Sequence, residues 1–100
     1  MRTKYSKEFE KSVRRLSGKT LNSVRETILE VKNASSLEEI TDCKKLVGFE
    51  HVYRIRIGSL RAFFIFHIEI VDDCVFFKYL VPRGEAYGKK NTDLLKKSDK

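Results

Sequence analysis

The spacing of apolar residues in the N-terminal third predicts two amphipathic helices. Residues 6–16 and 19–33 carry an apolar side chain every three or four positions, at Phe9, Val13, Leu16, Leu21, Val24, Ile28 and Val31. Ser6 and Thr20 are the predicted N-caps, since a hydroxyl can accept a hydrogen bond from a first-turn backbone N–H. Ser17 and Gly18 separate the two segments, which indicates a helical hairpin with both apolar faces on one core.

After residue 36 the apolar spacing becomes that of β-strands. Strands are predicted at residues 44–47, 52–57, 61–70 and 74–81, which are rich in Val, Ile and Phe, and residues 2–5 are a candidate for a further short strand. Residues 61–70 are apolar at almost every position, which is typical of a central strand covered on both faces. A run of helices followed by a run of strands indicates an α+β fold. We therefore expect the helical hairpin to pack on one face of a small, mainly antiparallel sheet of about four strands.

Two turns set the expected pairing of these strands. Gly58 and Ser59 form a two-residue hairpin turn with Gly58 at positive φ, so Ile57 faces Leu60 and Arg56 faces Arg61. If residues 71–73 form the next turn, Ile70 faces Cys74 and Arg61 faces Arg83.

Length and composition allow one small domain. The chain has 100 residues, 41% of them hydrophobic, which is too apolar for a disordered chain. We assign residues 1–87 to a single domain and 88–100 to a charged C-terminal tail, either mobile or a short helix and dispensable for folding. No apolar run reaches the roughly 18 residues that span a bilayer, and no signal sequence follows Met1. We expect a cytoplasmic protein without a membrane partner.

The sequence carries no signature of metal or cofactor chemistry. Cys43 and Cys74 are far apart in sequence and lack neighbouring ligands, so we expect two reduced thiols. Phosphate-binding glycine loops and catalytic metal motifs are absent from the sequence. We therefore expect neither a metal nor a small-molecule cofactor.

The net charge favours a polyanionic partner, either nucleic acid or an acidic protein. Twenty-one Lys and Arg against fourteen Asp and Glu give a net charge of +7. Between His51 and Ile68 there are three arginines and no acid. Strand alternation puts Arg54 and Arg56 on the face opposite to Ile55 and Ile57, which must meet the helices.

The arginines therefore collect on one face. Arg56 and Arg61 would be directly opposed, with Arg83 beside them and Tyr87 returning to the same patch. Opposed like charges destabilise a hairpin, so we expect Arg61→Ala to be slightly stabilising, and we expect a phosphate or a run of acidic side chains to occupy the patch. The alternative is that these arginines are solvated residues paired with scattered acids.

The segment KKLVGFEHVYRIRIGSLRAFFIF, followed by YLVPRGEAY, resembles the RelE/ParE superfamily of bacterial toxins from toxin–antitoxin systems. The shared features are a Lys-Leu-x-Gly stretch, a basic strand, a glycine turn, an arginine that opens an apolar strand, and a late Arg-x-x-x-Tyr. The segment YSKEFEKSVRRL is similar to the first helix of the family. The resemblance extends over residues 5–87 and implies the RelE-like fold.

The resemblance to the RelE branch implies a toxin that binds a cognate antitoxin. It also implies a metal-free, ribosome-dependent endoribonuclease, an mRNA interferase that cleaves messenger RNA in the A site. By the same resemblance, the catalytic and phosphate-binding positions are Arg54, Arg56, Arg61 and Arg83, with Tyr87 as the residue that stacks on a base or assists proton transfer. The alternatives are a ParE-like toxin that binds gyrase without nuclease activity, or an inactive relic that binds its antitoxin.

The residue that accepts the proton from the attacking 2′-hydroxyl is left open. Arginine keeps its proton, so Arg54 is a poor base where family members often have lysine. The candidates are His51, Glu39, Asp42 and Glu50. His67 lies about 20 Å along the strand from Arg61, since a strand rises about 3.3 Å per residue.

Overall fold

The structure, a computed structural model, describes residues 1–99. Its strands are β1 (Arg2–Tyr5), β2 (Cys43–Lys45), β3 (Val52–Ile57), β4 (Leu60–His67) and β5 (Cys74–Pro82). Its helices are α1 (Lys7–Arg14), α2 (Gly18–Asn33), α3 (Arg83–Ala86) and α4 (Lys89–Ser98), and a 3₁₀ turn spans Leu37–Glu39. None of the helices in this part of the chain has both the length and the apolar character needed to cross a bilayer.

The five strands form one mixed sheet in the order β1-β5-β4-β3-β2. Strand β1 runs parallel to β5, and the other neighbours are antiparallel. The predicted α+β class is confirmed, and the candidate strand at residues 2–5 adds a fifth strand to the expected four.

The helical hairpin covers one face of the sheet. Phe9 of α1 stacks on Phe77 of β5 at 5.0 Å between ring centroids, and Val24 and Val31 of α2 complete the core. Ser6 caps α1 as predicted, because its hydroxyl accepts the Phe9 N–H at 3.0 Å. The predicted cap of α2 at Thr20 is wrong.

The cap residue of α2 is Ser17. Ser17 has the extended backbone that an N-cap requires (φ −149°, ψ 168°), whereas Thr20 already lies in the first turn. Gly18 takes a φ of +59°, which lets the chain turn sharply from α1 into α2.

A second, smaller core lies on the opposite face of the sheet. Val52, Phe63 and Ile65 pack there against Ala86 of α3 and Leu95 of α4. Strand β4 is therefore covered on both faces, as its apolar sequence predicts. Leu95 is only 2% exposed, so α4 contributes to this core, although the last tail residue, Lys100, lies outside the described residues.

The β3–β4 hairpin has the predicted register. Arg56 faces Arg61, Ile57 faces Leu60, and Gly58 has a φ of +57°. The two guanidinium-bearing residues are therefore direct cross-strand neighbours.

The predicted register of the β4–β5 hairpin is wrong. His67, rather than Ile70, faces Cys74, and Arg61 faces Val81, because β4 ends at His67 and β5 carries a bulge. Residues 68–73 form the loop, which the Asp73 carboxylate closes by accepting the Glu69 N–H at 3.1 Å. Nothing in the described structure covers the apolar side chains that the loop contains, Ile68, Ile70 and Val71, and they are exposed.

Candidate anion-binding site

The sheet face opposite to the helical hairpin carries the cationic residues. Strand β3 presents Arg54 and Arg56 on the same face as Val52, and β4 presents Arg61 there. Strand alternation positions all three, because Ile55 and Ile57 occupy the helix-covered face. We refer to Arg54, Arg56 and Arg61 as the arginine row.

Arg54 is a buried cation with little hydrogen bonding. It is 9% exposed, and its Nη1 donates to the Tyr87 hydroxyl at 3.2 Å. Its Nε is buried without an acceptor in the described structure. Tyr87 itself is 58% exposed and packs edge-on against Phe63, with 6.4 Å between ring centroids. The structure therefore brings together Arg54 and Tyr87, two of the predicted site residues.

Arg61 is buried against its own turn. It is 7% exposed, and its Nη1 donates to the carbonyl oxygens of Gly58 and Leu60, each at 2.8 Å. Arg56, directly opposite, extends into solvent. This division separates the two charges, so the hairpin tolerates an arginine pair that would otherwise destabilise it.

Neither buried arginine is neutralised by an acid. The ion pairs within residues 1–99 join Arg2 to Glu69, Arg14 to Glu10 and His51 to Glu50, and none involves the arginine row. Pairing with scattered acids therefore does not explain the row. Burying a cation without a counterion costs free energy, and a bound anion would offset this cost.

Arg83 does not lie opposite Arg61, although the predicted register of the β4–β5 hairpin placed it there. It is nevertheless held at the same end of the sheet. Its backbone N–H donates to the Ser59 carbonyl at 2.8 Å, and the residue is exposed as the first of α3. The hairpin turn therefore brings Arg83 close to the end of the arginine row that contains Arg56 and Arg61.

The four candidate bases differ in their position relative to the arginine row. The Glu39 carboxylate accepts the N–H groups of Ser35 and Ser36, and the backbone N–H groups of Glu50 and His51 both donate to the Asp99 carboxylate at 2.8 Å. The carbonyl of Asp42, in contrast, accepts the Arg56 N–H at 3.3 Å.

Asp42 therefore adjoins the arginine row. It also has a φ of +55°, an uncommon backbone conformation for a residue other than glycine. His67 lies at the far end of β4, opposite Cys74.

Lys44 is a candidate site residue that the sequence pattern did not indicate. It lies directly opposite Arg54 in the β2–β3 pairing and is exposed. A cavity of about 410 Å³ adjoins both residues and is also lined by Phe49, Tyr87, Thr92 and Leu95. Strand alternation already indicates that Lys44 lies on the opposite face from Cys43 and Lys45. Only the register of β2 shows which of the three faces Arg54.

Cys43 lies on the other side of β2, against the helix-covered core. Burial raises the pKa of its thiol from 9.0 to about 11, an effect that nearby Arg54 opposes and Glu30 reinforces. The thiol is therefore neutral at physiological pH, and both cysteines are free, as expected.

Comparison with known proteins agrees with this architecture. The structure superposes on the RelB–RelE antitoxin–toxin complex of Methanococcus jannaschii with a TM-score of 0.69 and 25% identity, over 84% of this chain and 94% of the other. It superposes on the archaeal RelE–RelB complex of Pyrococcus horikoshii OT3 with a TM-score of 0.66 and 25% identity, over 85% and 97%. The fold is that of the RelE toxins.

Sequence comparison identifies the family to which the chain belongs. The chain is 30% identical over 88 residues to the protein named Toxin RelE3 of Methanocaldococcus jannaschii, covering 87% of this chain and 96% of that protein. No protein-family model matches the sequence. The chain belongs to the RelE toxin family, which confirms the resemblance found in its sequence.

Proposed function

We propose that this chain is the toxin of a toxin–antitoxin pair and acts in the cytoplasm as a ribosome-dependent endoribonuclease on messenger RNA. The observation that carries the proposal is the pair of buried arginines, Arg54 and Arg61, without a carboxylate partner among the described residues. The similar solved structures, a RelB–RelE antitoxin–toxin complex and a RelE–RelB complex, support an antitoxin as the resting partner.

In the proposed reaction the RNA supplies both the attacking oxygen and the leaving oxygen. The 2′-oxygen attacks the adjacent phosphorus, the bond from phosphorus to the 5′-oxygen breaks, and the products are a 2′,3′-cyclic phosphate and a 5′-hydroxyl. A proton leaves the 2′-hydroxyl, and one is delivered to the 5′-oxygen. Negative charge grows on the non-bridging oxygens, where Arg56, Arg61 and Arg83 would stabilise it without a metal ion.

Tyr87 and Asp42 would complete the site. The exposed ring of Tyr87 can stack on a base, an interaction worth about 1–3 kcal/mol, and its hydroxyl can donate a proton to the leaving oxygen. Among the candidate bases, Asp42 adjoins the row through its backbone, because its carbonyl accepts the Arg56 N–H. The ribosome would align the 2′-hydroxyl with the scissile bond, an orientation effect worth up to ~7–11 kcal/mol.

The decisive experiment uses ribosomes programmed with a defined message and an empty A site. We expect cleavage that leaves a 2′,3′-cyclic phosphate and falls at least about 100-fold in Arg83→Ala, the loss typical of a removed transition-state contact. Arg14→Ala, which removes an exposed arginine from α1, is the matched control and should cleave normally.

A gyrase-binding toxin is the second candidate. The bonds of Arg61 to its own turn favour it, since they give this arginine a structural role without RNA. A supercoiling assay with purified gyrase therefore runs beside the ribosome assay. Intact message together with inhibited supercoiling would refute the nuclease and support the gyrase binder.

A further inference from the structure

The cavity beside the arginine row has a cationic rim. Lys44 and Arg54 face each other across β2 and β3, where directly opposed residues have Cβ atoms about 4.5–5.5 Å apart. Both cations can therefore reach a single anion. The unpaired, buried Nε of Arg54 shows that this guanidinium has hydrogen-bonding capacity left over.

The rest of the cavity is suited to a flat, mostly apolar group. Leu46, Phe49 and Leu95 line its interior, and Thr92 and Tyr87 add hydroxyl groups that can hydrogen-bond. Its volume of about 410 Å³ lies within the ~300–1,000 Å³ typical of small-molecule sites. An aromatic base attached to a phosphate has both halves of this chemistry.

The position of the cavity relates it to the proposed cleavage site. Arg54 and Arg56 are two residues apart on one strand face, which separates them by about 6.6 Å. A ligand held by Arg54 therefore lies beside the phosphate that Arg56 would hold.

We propose that this cavity binds the RNA nucleotide that neighbours the scissile bond. Lys44 and Arg54 bind its phosphate, and the wall formed by Phe49 and Thr92 contacts its base. This makes Lys44 a binding residue and Thr92 a determinant of base preference. The inference rests on the proposed function, because it takes RNA as the ligand.

The test measures binding without cleavage. A fluorescently labelled trinucleotide with 2′-O-methyl groups cannot be cut, because its 2′-oxygens carry no proton and are blocked, and its affinity is read by anisotropy at several KCl concentrations. Lys44→Gln should bind about tenfold more weakly, as for a lost charge-assisted contact. The slope of log affinity against log salt should fall by about 0.7, the value for one phosphate contact on a single strand.

Two matched variants serve as controls for the binding measurement on Lys44→Gln. Lys44→Arg should retain affinity, and Lys19→Gln, which removes an exposed lysine from α2, should change neither affinity nor slope. Lys44→Gln with the parent's affinity and slope overturns the proposal, as does a parent protein that does not bind the trinucleotide.

Filling the cavity tests its role in base binding. Thr92→Trp should weaken trinucleotide binding at least fivefold while leaving the salt slope unchanged, because it removes space and no charge. Thr92→Leu serves if the tryptophan variant fails to unfold cooperatively. Parent-like affinity in the folded variant would show that the base does not enter the cavity.

The outcome is separable from that of the proposed function. Intact message on programmed ribosomes, together with Lys44-dependent trinucleotide binding, refutes the nuclease and leaves the nucleotide site standing. Message cleavage by the parent, with trinucleotide binding that is independent of Lys44, refutes this site alone.

Discussion

At the scale of single residues, Arg56 and Arg61 show that two opposed arginines are not equivalent. Arg61 donates two hydrogen bonds to turn carbonyls and is buried, whereas Arg56 is solvated. We expect Arg61→Ala to lower the free energy of unfolding by about 1–3 kcal/mol, because hydrogen bonds from a charged group are lost. This reverses the stabilisation that charge repulsion alone predicts.

Arg56→Ala is the matched variant. It relieves the same repulsion and removes no side-chain hydrogen bond seen in the described structure, so its stability should stay within about 0.5 kcal/mol of the parent or rise slightly. Urea unfolding of both variants makes the measurement. Equal stability of Arg61→Ala and Arg56→Ala would show that the turn bonds contribute nothing.

Cys43 gives a residue-scale prediction about pH. Burial raises its pKa to about 11 in the folded protein from an ordinary value of 9.0, so the unfolded chain loses the proton first as pH rises. Its contribution to stability is complete below pH 9 and should be lost between pH 9 and about 11.

The variant Cys43→Ala isolates this contribution. Thermal melts from pH 8 to 11 should show the parent losing more stability than Cys43→Ala over the upper part of the range, while other groups affect both proteins alike. Parallel curves for the two proteins would contradict a raised thiol pKa.

At the scale of elements, α4 shows how one buried side chain attaches a charged helix. Leu95 packs with Val52, Phe63 and Ile65. We expect Leu95→Ala to destabilise the protein by about 2–5 kcal/mol, the range for truncating a buried leucine. Leu94→Ala, at the half-buried neighbouring position, should have a much smaller effect. Calorimetric melting of both variants and the parent makes the comparison. Similar melting temperatures for Leu95→Ala and the parent would show that α4 is only loosely attached.

At the scale of the whole molecule, charge is distributed unevenly along the sheet. Arg56, Arg61 and Arg83 gather at the β3–β4 turn, while the acidic loop with Glu69, Asp72 and Asp73 lies at the other end. A net charge of +7 arranged in this way orients the protein toward a polyanion.

The expected consequence is salt-dependent binding to ribosomes. The dissociation constant for ribosomes with an empty A site should rise with KCl, and each of Arg56→Gln and Arg83→Gln should reduce the slope by about 0.7–0.9. Ile70→Ser, in the acidic loop, should leave the slope unchanged. Slopes that do not respond to either arginine would place ribosome contact elsewhere on the molecule.

The sequence by itself determined the two N-terminal helices, the main strands of the sheet and the register of one hairpin. The helical spacing of Phe9 and Val24, the strand propensity of residues 52–57 and the turn at Gly58 are local signals, because each depends on neighbours a few positions away. The same locality placed Arg56 opposite Arg61, since a two-residue turn fixes the pairing that follows it.

The tertiary structure decided everything that depends on contacts between distant segments. The longer loop between β4 and β5 moved Arg83 away from its predicted place opposite Arg61, and the pairing of β2 brought Lys44 to Arg54. Leu95 became a core residue only because the second sheet face was left for it to cover. Residues remote in sequence meet according to register and packing, and these are set by the burial of the whole core rather than by any local pattern.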